Sequence, residues 1–120
     1  MSRPPRIVPA LLVALGVLAL AAPASAATFY GSVGPGMTIS LKRGNGNDVI
    51  NVAPGLHTFV IRDRSSAHNF VLLRGTNELR RTGVTFTGTR TWSVRIRRGA
   101  RYKYHCSTHP RAMRGSFGVT

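Results

Sequence analysis

Tyr104-His105-Cys106-Ser107-Thr108-His109-Pro110-Arg111-Ala112-Met113 places a thiol, an imidazole and a thioether within eight consecutive positions. Arg101 to His105 alternates cations with tyrosines and reads as a strand. Gly115 to Thr120 reads as the next strand. One loop between two neighbouring strands would then turn Cys106, His109 and Met113 toward a common point. A second imidazole lies far upstream in Ser65-Ser66-Ala67-His68-Asn69-Phe70, just after a turn at Asp63 to Ala67.

Cys106 is the sole cysteine, so the chain has no internal disulfide. Two imidazoles, a soft thiolate and a weak thioether select copper and suit an ion that must be held as both Cu(I) and Cu(II). If His68, Cys106, His109 and Met113 all ligate, no coordination position is open to a substrate, which speaks against catalysis at the metal. There is no second histidine cluster for another copper, so an enzyme is not expected. His57 and His105 are the remaining histidines. His57 falls in a strand, and strand alternation turns His105 away from Cys106.

Outward from this loop the chain reads as short strands and turns. Thr28-Phe29-Tyr30 and Thr38 to Leu41 flank the turn Gly34-Pro35-Gly36. Gly44-Asn45-Gly46-Asn47-Asp48 suits a tight hairpin. Strands are expected over Leu56 to Asp63, His68 to Leu73 and Thr89 to Ile96, the last carrying Trp92 into the core. Arg74 to Gly88 shows no regular pattern. No segment has useful helical periodicity. Seven or eight strands in one small domain imply an all-β sandwich or barrel.

The first 26 residues read as something else. Arg3 and Arg6 precede an apolar run, Ile7 to Ala22, and Pro23-Ala24-Ser25-Ala26 supplies small residues for a cut after Ala26. The run is short for a membrane span. The expectation is a Sec-type signal peptide over 1–26 and one domain over 27–120, secreted or periplasmic. An exported thiol is exposed to oxidation, and ligation would protect it.

The charge is lopsided. The whole chain carries 17 Lys+Arg against 3 Asp+Glu, a net +14. Without Arg3 and Arg6 the balance for 27–120 is +12. Arg95, Arg97, Arg101 and Lys103 alternate with apolar residues, the pattern of a solvated strand face. Export argues against a nucleic-acid partner. An acidic protein surface or an anionic cell envelope remains as the class of partner.

Taken together, these residues resemble the cupredoxins, most closely small secreted plastocyanin- or pseudoazurin-like bacterial proteins. The likeness rests on Asp63 to Phe70, Thr91-Trp92-Ser93-Val94, Gly99, Tyr102, Tyr104, Cys106, His109, Met113 and Gly115 to Phe117 with Val119. The resemblance implies a Greek-key sandwich of the cupredoxin type and a monomer that carries electrons on one copper. It implies that Asn69 ties the His68 loop to the Cys106 loop and points its N–H at the sulfur. It also implies that His109 is the half-exposed exit for electrons, ringed by Gly34 to Met37, Pro110, Ala112 and Met113. Copper storage, delivery or tolerance is the alternative, since it would use the same ligands without electron-transfer turnover.

Overall fold

The computed structural model describes residues 2–6, 9, 16 and 26–120, so most of the expected signal peptide lies outside the described residues. Among them there is no helix. Nine strands follow one another: β1 Thr28–Val33, β2 Ile39–Arg43, β3 Asn51–Val52, β4 Gly55–Asp63, β5 Val71–Arg74, β6 Asn77–Arg81, β7 Gly88–Ile96, β8 Tyr102–His105 and β9 Arg114–Val119. One sheet has the order β2-β1-β4-β7 and the other β3-β9-β8-β5-β6. Both are mixed: β1 runs parallel to β4 and β3 parallel to β9, while the remaining pairs are antiparallel.

Alternation dictates which side of each strand is buried. On β7, Trp92, Val94 and Ile96 point inward and Thr91, Ser93 and Arg95 outward. On β4 the inward set is His57, Phe59, Ile61 and Asp63, and Phe59 stands directly across from Trp92. The other sheet contributes Leu72, Tyr102, Tyr104 and Phe117 to the same core. Aromatic rings join the layers. Phe59 lies 6.4 Å from Phe117, which stacks on Tyr102 at 5.2 Å. Phe70 stacks on Tyr104 at 5.2 Å and meets Trp92 at 6.2 Å. Each such ring removed from water contributes about 1.5–3 kcal/mol.

The nine strands exceed the expected seven or eight for two reasons. β3 is only two residues long and leaves no pattern to read. β6 is an edge strand whose residues are exposed apart from Leu79, so Arg74 to Gly88 carries no alternation. A turn at Gly75, with φ +59°, folds β6 back onto β5. The segment Gly44 to Asp48 does turn tightly. Gly46 sits at φ +86° and its N–H donates to the Arg43 carbonyl at 2.9 Å. Its second arm, however, is a single bridge between Lys42 and Asp48, after which the chain crosses to the other sheet.

Gly115 marks a close approach in this packing. A Cβ there would run into the buried Tyr104 ring, its partner across the β8–β9 ladder. Gly115→Ala should therefore cost about 1–3 kcal/mol through overpacking. Chemical denaturation should show a lower midpoint at unchanged slope. An unchanged midpoint would mean that the ring has room to move.

Candidate metal centre

The loop from Cys106 to Met113 leaves β8 and enters β9, whose first pair is His105 opposite Arg114. Three backbone bonds close it. Cys106 N–H donates to Met113 O at 3.0 Å, Met113 N–H to His109 O at 2.9 Å, and His109 N–H to Cys106 O at 3.2 Å. His68 arrives on the connection from β4 to β5. There Ser65 N–H donates to Asp63 Oδ1 at 3.0 Å and Ala67 N–H to Ser65 Oγ at 3.2 Å. Arg64 N–H donates to Val33 O at 2.9 Å, which ties this connection to the end of β1.

The strand expected from His68 begins instead at Val71. Asn69 and Phe70 spend backbone groups elsewhere. Asn69 N–H points at Cys106 Sγ, 3.4 Å away. Phe70 N–H donates to Thr82 Oγ1, and Thr82 N–H donates to Phe70 O, both at 2.9 Å. His68 and Asn69 thus sit in a pinned loop outside any ladder.

The structure brings His68, Cys106 and His109 together, with one donor atom of each within 4.8 Å of the others. His68 Nδ1 lies 3.8 Å from Cys106 Sγ. The two imidazole rings meet edge-on, with centroids 4.8 Å apart. His68 and Cys106 are buried and His109 is half-exposed. Met113 ends the same loop, buried in the core cluster that also holds Cys106. Its burial removes it from the expected exposed rim. Pro35, Gly36, Met37, Pro110 and Ala112 are exposed. Among the described residues neither His57 nor His105 joins the cluster. His105 lines a cleft on the outer face of β8 and β9 with Lys103 and Arg114, and burial pushes its imidazole toward the neutral form.

Burial alone would push the Cys106 thiol up. Donors from the Thr108 hydroxyl, the Asn69 N–H, the His109 side chain and the Thr108 N–H outweigh it and bring the thiol down from 9.0 to about 6. Thr108 Oγ1 is 3.2 Å from the sulfur and 3.0 Å from His109 Nδ1. The donor set therefore fits a soft, borderline metal ion. One thiolate is available near neutrality, and thiolate and imidazole donors placed at 120° around one ion stand about 3.8 Å apart at typical bond lengths.

Asn69 links the two loops with its whole side chain. Oδ1 accepts from Ser107 N–H at 2.8 Å and from Ser107 Oγ–H at 3.0 Å, and Nδ2 donates to Thr82 O at 3.0 Å. Sequence reasoning missed Thr82 and Thr108. Thr82 is buried, and its hydroxyl donates to Asp63 Oδ2 at 3.2 Å. It lies after an edge strand without periodicity, so nothing in the sequence marked it. Thr108 carried a usable signal: a hydroxyl between the cysteine and the histidine of a short loop has few places to point.

The folded thiol is more acidic than the unfolded one. Its thiolate therefore contributes stability in full above about pH 9, and that contribution is lost as pH falls through about 6. In metal-free protein the ultraviolet absorbance of the thiolate should rise with a midpoint near pH 6, and Thr108→Val should move that midpoint upward. A wild-type midpoint in the ordinary thiol range would mean that these donors do not act on the sulfur in solution.

No family model matches the sequence, and no curated protein matches it. Solved structures do. Auracyanin A, a "blue" copper protein from Chloroflexus aurantiacus, superposes with a TM-score of 0.56 at 14% identity, over 80% of this chain and 100% of that one. Auracyanin from Roseiflexus castenholzii gives 0.55 at 17% identity, over 80% and 98%. Rusticyanin from Thiobacillus ferrooxidans gives 0.58 at 17% identity, over 80% and 79%. Two mixed sheets, the loop between the last two strands and these superpositions lead to one conclusion: the chain has the cupredoxin fold, with a His-Cys-His cluster at one end of the sandwich.

Proposed function

We propose that His68, Cys106 and His109 hold one copper ion, with the Met113 thioether as a weak axial ligand, and that the protein carries single electrons between redox partners outside the cytoplasm. The observation that carries this reading is the convergence of two imidazoles on one acidic thiol within 4.8 Å. Bound copper supplies a one-electron couple between Cu(I) and Cu(II). The chain does the rest. Cys106 holds its charge because Thr108 and Asn69 donate to it. The backbone bonds across the 106–113 loop and the Asn69 links hold the donors in place, so that little has to move when charge changes. His109 is the half-exposed donor, which makes its edge the natural exit for an electron. With every donor supplied by the protein, electron transfer is favoured over catalysis.

Charge defines the partner in this reading. Lys42 pairs with Asp48, Arg81 pairs with Glu78, and Asp63 is buried. All three acids are thus occupied, and the remaining arginines have no aspartate or glutamate to meet. Arg111 and Arg114 are exposed beside Pro110 and Met113. A partner with an acidic surface would be steered to this end of the sandwich.

Cu(II) added to the purified domain should give an intense blue colour from sulfur-to-copper charge transfer, and Cys106→Ser should abolish it. Colourless copper-loaded wild type would sink the assignment. Met113→Gln should keep copper and lower the reduction potential, because an oxygen donor favours Cu(II); an unchanged potential would remove Met113 from the ligand set.

Stopped-flow transfer to an acidic redox protein should slow steeply as salt rises, since screening acts over about 8 Å at physiological ionic strength. Arg111→Glu should slow it more than Arg43→Glu, which lies at the far end of β2. A protein that binds copper tightly but exchanges no electron with any such partner would instead be a copper-storage or delivery protein.

A further inference from the structure

Ala27 is the residue at which the chain joins the sandwich, and it is tied twice. Its carbonyl accepts from Thr58 N–H at 3.0 Å. Its own N–H donates to His57 Nδ1 at 2.9 Å. His57 is only 2% exposed, and on its far side Nε2 lies 2.7 Å from the Ala53 carbonyl. A carbonyl can only accept, so the ring proton is on Nε2 and the Nδ1 lone pair faces Ala27. Phe29 packs against the same ring, with centroids 5.4 Å apart. Ala26, one residue earlier, is exposed.

Small residues at Ala24 and Ala26 mark a cut at this same boundary. We propose that the chain is hydrolysed between Ala26 and Ala27, and that the new α-ammonium group of Ala27 seats on His57 Nδ1. Water adds across the amide and the C–N bond breaks. Ala26 leaves as a carboxylate, and the Ala27 nitrogen takes up protons to become an ammonium. The donor stays where the amide N–H was, but it now carries charge. Charge-assisted hydrogen bonds are roughly twice as strong as neutral ones. Ala27 is half-buried, so the other two ammonium protons can reach water. A cut one residue later would remove the donor, and a cut one residue earlier would leave a neutral amide facing the imidazole. His57 is therefore a positioning residue for the mature amino terminus, and processing completes the anchoring of β1. The inference rests on no part of the copper reading, because His57 lies outside the His-Cys-His cluster.

The test begins with the full 1–120 chain exported from a bacterial host. Intact mass of the product should correspond to residues 27–120; a start at any other residue overturns the proposal. His57→Phe is then compared in two chains, one starting at Ala27 and one starting at Ala26. The substitution should lower the folding equilibrium constant about fivefold more in the chain that starts at Ala27, where the lost bond is charge-assisted. Equal losses overturn the seat. Should His57→Phe fail to fold, nitrogen-15 NMR of the exported wild type decides. The proton should sit on Nε2, with an Nδ1 shift that changes when Ala26 is retained. A proton on Nδ1, or an Nδ1 shift indifferent to the added residue, overturns it.

Discussion

The donor cluster depends on one asparagine. Asn69 uses its backbone N–H on the Cys106 sulfur, its carbonyl oxygen on Ser107 and its amide nitrogen on Thr82. These partners come from two separate stretches of chain, and Asn69 itself lies on a third. No ladder hydrogen bond could join them, because β5 starts only at Val71 and β8 ends at His105. Loss of the side chain would leave the Ser107 N–H and the Thr82 carbonyl in a low-dielectric region without partners, at about 1–3 kcal/mol for each group left unsatisfied. An isolated His68 loop could drift relative to Cys106. Tied through Asn69, it cannot drift without breaking bonds on both sides.

Below Asn69 the constraint passes into the core. Phe70 follows it directly and stacks on Tyr104, two residues before Cys106. The same ring meets Trp92 of the opposite sheet. The position of His68 is therefore set by polar bonds above and aromatic packing below. Asp63 extends the polar part. Burial pushes its carboxyl up, while the Ser65 N–H and the Thr82 hydroxyl favour the ionised form. Since Thr82 also accepts from Phe70 N–H, Asp63, Thr82, Phe70 and Asn69 form one buried chain of hydrogen bonds. Such networks stabilise only when every member is satisfied, and here each of these contacts has its partner.

How much of this was legible depended on whether a residue's role is local. Strand β7 was visible because Trp92, Val94 and Ile96 alternate with polar neighbours, and β4 because Phe59, Val60 and Ile61 form a β-prone apolar run after the turn at Pro54-Gly55. The Cys106 loop was visible because three unusual donor side chains fall within eight positions. His68 was visible as a donor, and Phe70, Val71 and Leu72 continue an apolar run behind it that reads as a strand from His68. The run is real, but Phe70 belongs to the stack under the site rather than to the ladder. Thr82 was invisible. Its partners Asp63, Asn69 and Phe70 are 12 to 19 residues away, and a threonine after an exposed edge strand carries no periodic signal. His57 was legible only as a surplus histidine. That its Nδ1 accepts from Ala27 is a fact of the β1–β4 pairing, 30 residues apart.

The three acids illustrate how the surface and the interior are coupled. Asp63 is held inside by the network, and Asp48 and Glu78 are held by cations at 2.5 Å. The solvent-facing sides of both sheets are therefore strongly net positive, and self-repulsion works against a domain of this size. Alternation limits the cost. Arg95 and Lys103 stand on the outer faces of different sheets, with the core between them, so the repulsive charges are spread and bathed in water rather than massed. In sequence, exposed Arg111 and Arg114 follow the half-exposed His109. A positive field near a thiol favours the thiolate over the thiol. The hydrogen bonds on Cys106 act in the same direction at a buried sulfur, so salt screens a surface contribution more than theirs.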